Sequence, residues 1–314
     1  MGKVSQEQVN GLISRQMNDW SLAGDNYAAL AGVKVKRFEV NGREVQVQFN
    51  PARIVSSAAK VDDKSLSERR CFLCAANRPV EQEGLAWGDL YTILVNPFPI
   101  FPRHLTIPSN DHKPQRIKGR IGDMLGLAAD LHDFVIFYNG PKCGASAPDH
   151  CHFQAGSKGL MSLPAGKVDG RLIKGDERAG IYRLLNWTCQ AFIIKATEQD
   201  AAADLFNQLY AVLPIHEGED EPMLNLLCWT ENKSGITEWN IGVFPRVKHR
   251  PSCYFAEGDS NILLTPASVD MGGVFITPLA KDFNKIKASD IEAILKEVCY
   301  DEDAMNEIEN KIII

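Results

Sequence analysis

Phe134-Val135-Ile136-Phe137-Tyr138, the loop Asn139-Gly140-Pro141-Lys142-Cys143-Gly144-Ala145-Ser146-Ala147-Pro148-Asp149, and then His150-Cys151-His152-Phe153-Gln154-Ala155 form the stretch that decides the fold. The first segment is an unbroken β-branched and aromatic run, the pattern of a strand buried on both faces. The last alternates, so a strand there would direct His150, His152 and Gln154 to one face and Cys151 and Phe153 into the core. Two imidazoles and a carboxamide in one row are poor core material. They mark either a solvated strand face or a chemical site. The intervening loop favours the second reading, because its small, glycine-bearing backbone can bring N–H groups close to anionic oxygens.

Working outward, apolar periodicity over Val9, Leu12, Ile13 and Met17 predicts an opening helix over residues 5–24. Residues 33–40 and 44–49 alternate about Asn41-Gly42, a strong hairpin signal. A loop over 56–67 is expected, then a strand at 91–95, its short antiparallel partner at 104–107, and a helix within 117–132. Beyond the Gly- and Lys-bearing stretch 156–180 the pattern restarts. A strand at 191–197, a helix at 198–213 and a hairpin of 223–230 with 236–245 follow. Short strands at 262–265 and 273–277 precede helices at 289–300 and 302–311. Strands and helices thus recur twice in similar order. The expected fold is α+β, with two halves (residues 1–180 and 181–314) built on antiparallel sheet with packed helices.

Composition sets outer limits. The chain has 314 residues, 45% hydrophobic and 24% charged, with a net charge of -6. That is a globular balance with no global positive field for a nucleic-acid backbone. No apolar run reaches bilayer length, and the first residues lack a signal-peptide core. A cytoplasmic protein without nucleic-acid or membrane partners is expected. Eight cysteines in a reducing compartment point to buried thiols or metal ligands. No Gly-rich phosphate loop of the Walker or Rossmann kind is present, and no organic cofactor is expected.

Asn139, the turn Gly144-Ala145-Ser146 and the H-x-H-x-Q run resemble the active-site strand of the transferase branch of the histidine-triad superfamily. Cys71-Phe72-Leu73-Cys74-Ala75-Ala76-Asn77 is similar to the zinc-binding segment of its galactose-1-phosphate uridylyltransferases. Asn96-Pro97-Phe98 resembles their nucleotide-contacting Asn-Asp-Phe, with Pro97 replacing the acidic residue. Residues 240–246, 268–278 and 282–298 look like the end of the GDP-hexose phosphorylases. The resemblance implies two histidine-triad-like halves, the second degenerate. It also implies that His152 attacks a nucleotide α-phosphate. A neutral imidazole suits that task, with the second ring nitrogen held by a fixed acceptor such as a backbone carbonyl. Gln154 stands where the superfamily's hydrolases carry a third histidine. It cannot deliver a proton, but its amide N–H can bind a phosphate oxygen, which favours transfer or phosphorolysis over hydrolysis.

The same resemblance implies structural zinc on Cys71, Cys74, His112 and His150, with His104 as the substitute if His112 faces solvent. Catalytic roles fall to His152, Gln154 and His150. Contacts to substrate or phosphate fall to Asn139, Gly144, Ala145, Ser146, Asn96 and Lys60. Arg53, Lys142 and Lys158 flank the motifs as further cations or as plain surface charge. The cluster Arg246 to Arg250 could serve substrate or simply end a strand. The expected substrate is an NDP-hexose or dinucleotide, with phosphate or a sugar phosphate as acceptor, and a homodimer is compatible with this reading. Phosphorylase of GDP-hexose is preferred over hexose-1-phosphate uridylyltransferase and dinucleoside-polyphosphate phosphorylase. A rival of another class is a non-catalytic, zinc-stabilised nucleotide-binding protein, to be favoured if His152 is buried without an adjoining pocket.

Overall fold

The computed structural model describes residues 3–54, 61–165 and 169–313. Lys60 lies outside them. The chain opens on helix α1 (Gln6–Asp19), closed by a capping box in which Ser5 Oγ accepts from the Gln8 N–H and the Gln8 side chain accepts from that of Ser5. The single helix expected over 5–24 is two. Trp20 turns extended (φ -116°, ψ 100°), burying its indole in the core, and α2 (Ser21–Ala29) starts afresh.

Strands β1 (Lys34–Val40) and β2 (Arg43–Phe49) form the predicted hairpin. Asn41 and Gly42 both take positive φ (51° and 75°), as a tight two-residue turn requires.

The other strands are β3 (Gly84–Trp87), β4 (Tyr91–Val95), β5 (His104–Pro108), β6 (Phe134–Asn139), β7 (His152–Ser157), β8 (Gly170–Gly175), β9 (Ala179–Leu184), β10 (Phe192–Ala196), β11 (Leu224–Lys233), β12 (Ile236–Pro245) and β13 (Val274–Thr277). Among the described residues, ten of them make one sheet in the order β3-β4-β5-β7-β6-β11-β12-β10-β9-β8. Read from either edge, the order repeats: β3, β4, β5, β7, β6 match β8, β9, β10, β12, β11. A helix joins the third strand of each set to the last, Ile121–Asp130 in the first and Gln199–Val212 in the second. The fold is α+β and internally duplicated. The seam is the antiparallel pair β6·β11, running from Asn139↔Asn225 to Ile136↔Cys228. A smaller sheet, β1-β2-β13, has β13 parallel to β2.

Alternation decides what covers each face. Ile136 and Tyr138 join one core with α1, Ile121–Asp130, Gln199–Val212 and the last helix, Glu302–Ile313. Val135 and Phe137 join the opposite core, with Val45, Val47, Phe275 and the helix Ala288–Val298. Each such fully buried side chain contributes about 1.5–3 kcal/mol. Phe153 and Ala155 belong to the same core as Ile136 and Tyr138, so His152 and Gln154 project to the other side.

Three strands lie where no strand was expected, β3, β8 and β9. Residues 262–265, expected as a strand, have none. The Leu264 N–H donates to Ile262 O, and that of Leu263 to Asp282 Oδ2, in place of a ladder. No helix of the described residues is long and apolar enough to cross a membrane.

Candidate active site

His152 opens β7. Its backbone N–H donates to Gln115 Oε1 (2.7 Å), while Gln115 Nε2 donates to the carbonyls of both His152 and Asn139 (3.0 Å each). The buried Gln115 thus clips the start of β7 to the end of β6. The imidazole is 3% exposed, and its Nδ1 lies 2.8 Å from the His150 carbonyl. A carbonyl only accepts, so Nδ1 carries the hydrogen and Nε2 keeps its lone pair. Burial, helped by the His150 charge, pushes this imidazole down to about 4 although the carbonyl bond opposes the shift. At neutral pH the ring is uncharged, with the Nε2 lone pair available.

Gln154 is fixed by a neighbour. The Ile100 N–H donates to His104 Nδ1 (3.2 Å), so His104 Nε2–H donates to Gln154 Oε1 (3.1 Å). With its oxygen held, the Gln154 amide N–H₂ is the end left for other partners. His104 is fully buried, and burial together with the Arg53 charge pushes it down to about 3. It therefore acts as a neutral orienting group.

His152 and Gln154 line a cavity of about 640 Å³, with Asn96, Asn139, Gly144, Ala145 and Ser146 also on its wall. Gly144 sits at φ +93°, where a Cβ would come 2.6 Å from Ala267 Cβ. Only glycine lets this loop bend so tightly against the second half. Apolar lining comes from Trp20, Leu22, Phe72 and Phe98, and positive charge from Arg53, Arg69 and Arg250. Arg53 Nη1 donates to Phe98 O (2.7 Å), and burial pushes its guanidinium down to about 10 with the Asp270 charge opposing. Asn96 shapes its own turn, its Oδ1 accepting from the Phe98 N–H (2.9 Å) and its Nδ2 donating to Thr106 Oγ1 (3.0 Å).

Behind the cavity, Cys71, Cys74, His112 and His150 gather with their ligand atoms all within 4.8 Å of one another. Nδ1 of His150 is 3.3 Å from Cys71 Sγ and 3.5 Å from Cys74 Sγ, and His112 Nδ1 is 3.2 Å from Cys74 Sγ. His150 Nε2 donates to Ser109 O (2.8 Å), which turns Nδ1 toward the two thiols. Burial opposes ionisation of Cys71, but hydrogen bonds from His150 and from the Leu73 and Cys74 backbone bring its thiol down to about 6. Two thiols and two imidazoles at this separation fit a tetrahedral, closed metal site.

Residues 167–314 match the family described as GDPGP1-like, C-terminal domain, and residues 12–157 match Domain of unknown function (DUF4922). Yeast Ap4A phosphorylase Apa2 is similar in structure, at 18% identity and a TM-score of 0.56, over 90% of this chain and 94% of that one. Its complex with AMP gives 17% identity and 0.57 over 91% and 97%. Its complex with Ap4A gives 17% and 0.55 over 90% and 97%. No curated protein matches the sequence. These structures share the chain's fold over about nine-tenths of its length.

The expected row of three parts company. His150 precedes β7 and turns to the cysteines, while His152 and Gln154 face the cavity. His104, the substitute ligand, serves Gln154 instead. Lys142 pairs with Glu219, Lys158 donates to Thr230 O, and neither lines the cavity. The second half adds a further wall, made of His249, Arg250, Thr265, Ala267, Val269 and Asp270. Of these, His249 and Arg250 carried a signal in the basic run 246–250 and Val269 and Asp270 lie in the resembling segment 268–278, while Thr265 and Ala267 carried none.

Proposed function

We propose that this chain is a nucleotidyltransferase of the phosphorylase type, acting on an NDP-hexose, GDP-hexose by preference, with inorganic phosphate as acceptor. The His152 Nε2 lone pair attacks the α-phosphorus. An N–P bond forms as the bond to the bridging oxygen of hexose 1-phosphate breaks, and that oxygen keeps the electron pair. Phosphate then attacks the nucleotidyl-His152, the N–P bond breaks, and NDP leaves with the imidazole restored. Hexose 1-phosphate departs as an anion needing no proton. Gln154 therefore meets the requirement by donating its amide N–H to a non-bridging oxygen. Asn139 and the 144–146 backbone hold the same phosphate, and Arg53 balances its charge. In this reading residues 1–180 are the catalytic half and 181–314 its degenerate counterpart.

The observation that carries the reading is His152: buried, uncharged, with its tautomer fixed and its ring on the wall of a nucleotide-sized cavity. The adjoining cavity also disfavours the non-catalytic alternative. Zinc fits the Cys₂His₂ set and would fix the loop around His150, whose carbonyl holds the nucleophile's tautomer. The preference for GDP-hexose and phosphate is supported by the GDPGP1-like match. The dinucleoside-polyphosphate reading is supported by likeness to a phosphorylase whose AMP and Ap4A complexes share this fold. The test is a donor panel of NDP-sugars and dinucleoside polyphosphates, each with phosphate or hexose 1-phosphates as acceptor. GDP-hexose with phosphate should turn over fastest. Faster turnover of Ap4A, or of UDP-hexose with hexose 1-phosphate, selects the corresponding alternative. No turnover with any pair rejects the enzyme.

A further inference from the structure

Arg246 is fully buried and outside the cavity wall, yet every N–H of its guanidinium is used. Nε donates to Val298 O (3.1 Å), Nη2 to Lys248 O (3.1 Å) and His249 O (3.2 Å), and Nη1 to Pro266 O (2.9 Å). The remaining Nη1 hydrogen goes to Asn225 Oδ1 at 2.6 Å. A guanidinium only donates, so the Asn225 oxygen must face it. Asn225 Nδ2 therefore points the other way, to Cys143 O (2.7 Å) and to Asn139 Oδ1 (2.9 Å). The same Asn139 oxygen accepts from the Ser268 N–H and Oγ–H (2.8 Å each). Each carboxamide orientation is thus fixed by a group that cannot reverse its role, one by a guanidinium and the other by a backbone N–H. Asn139 lines the cavity, and its Nδ2 is the amide end left to face it. Its backbone shares the Gln115 clamp with His152.

We propose that Arg246 and Asn225 are positioning residues: from the second half they turn the Asn139 carboxamide so that its N–H₂ meets the phosphate attacked by His152. The inference rests on the phosphorylase reading and explains why the degenerate half keeps a fully buried cation at the seam. Reversing the Asn139 amide would set its oxygen against phosphate oxygens and forfeit one donor, a loss of about 10²-fold in rate.

Two variants separate orientation from mere tethering. Asn225→Asp keeps the shape and gives Arg246 a buried counter-charge, but its carboxylate cannot donate to Asn139 Oδ1 and repels it. Asn225→Ala leaves a void and unpaired groups but repels nothing. Orientation predicts opposite rankings. The melting temperature should fall most in Asn225→Ala, whereas kcat should fall most in Asn225→Asp, by about 10²-fold with a smaller change in KM. Nucleoside monophosphate affinity, measured by calorimetry, should follow kcat rather than stability. If activity and monophosphate binding rank with melting temperature, Asn225 only holds the loop and the proposal is overturned. If Asn225→Asp does not fold while Asn225→Ala folds, a tether is indicated and the proposal fails. Wild type that neither binds monophosphate nor transfers would sink the phosphorylase reading and this inference with it. An active wild type matched by Asn225→Asp sinks this inference alone.

Discussion

Strands β7 and β12 hold the same place in the two halves, each between the partner across its hairpin and the third strand of its set. On β7 stand His152 and Gln154; on β12 stand Trp239, Asn240, Ile241, Gly242 and Val243. Identical placement has produced a cavity wall in one and plain packing in the other, with Phe244 fully buried in the core on the side that His152 and Gln154 face. Strand position alone therefore does not make a site. What distinguishes β7 is its surroundings: the Gln115 clamp, the His104–Gln154 bond and the glycine-bearing loop that precedes it. The second half instead contributes a wall and a fixed amide chain.

That contrast breaks most directly at His152, the proposed nucleophile. His152→Ala should abolish transfer while leaving circular dichroism unchanged, and labelled donor without acceptor should no longer leave an acid-labile adduct. Surviving turnover would mean that the chemistry lies elsewhere, the second half included. Next in size is Gln154→Glu, which exchanges an N–H donor for a carboxylate facing phosphate. Steady-state kinetics should record a kcat lower by ~10²–10³; an unchanged kcat would remove Gln154 from the phosphate.

Metal binding tests whether the first half alone is stapled, since the described residues of the second half contain no comparable cluster. Elemental analysis of wild type should find close to one zinc per chain. Cys74→Ser should lose it and melt several degrees lower, because structural metal contributes folding energy directly. A metal-free wild type with an unchanged melting point in the variant would leave these thiols as ordinary packing.

The smallest expected effect is pH. A folded pKa lowered to about 4 keeps His152 unprotonated through the whole range from 8 down to 5, and the adduct-forming rate should fall only as pH drops through 4. An acid limb near 6.5, seen in single turnovers with donor alone, would mean a solvated imidazole instead.

Much of this was legible beforehand. The Asn41-Gly42 turn, the unbroken run 134–138 and the alternation after His150 each specify local geometry by sterics or period, and all appear as expected. That Cys71, Cys74, His112 and His150 gather was expected from the resemblance, since Cys-x-x-Cys by itself brings only two of the four together. His150 was misjudged as part of one row, since β7 begins at His152 and the residue before a strand need not obey its alternation. The run Arg246 to Arg250 was open to a role toward substrate, but the route from Arg246 through Asn225 to Asn139, and the place of Asp270 on the wall, could not be read. Their meaning depends on pairing between β6 and β11, and nothing local records which strands meet across some 90 residues. Strands β8 and β9 were missed because Gly170, Gly175 and several charges dilute the period.

The seam between β6 and β11 also governs how the chain must be assembled. Until residues 224–228 are made, the strand ending in Asn139 has a bare edge, apolar on both faces. Such an edge is a template for pairing with other copies. Contacts this distant in sequence form late, after a large loss of chain entropy. A truncated first half, released with Phe134–Asn139 uncovered, should therefore aggregate rather than persist as a working catalyst, and folding of the full chain should be slow and sensitive to concentration.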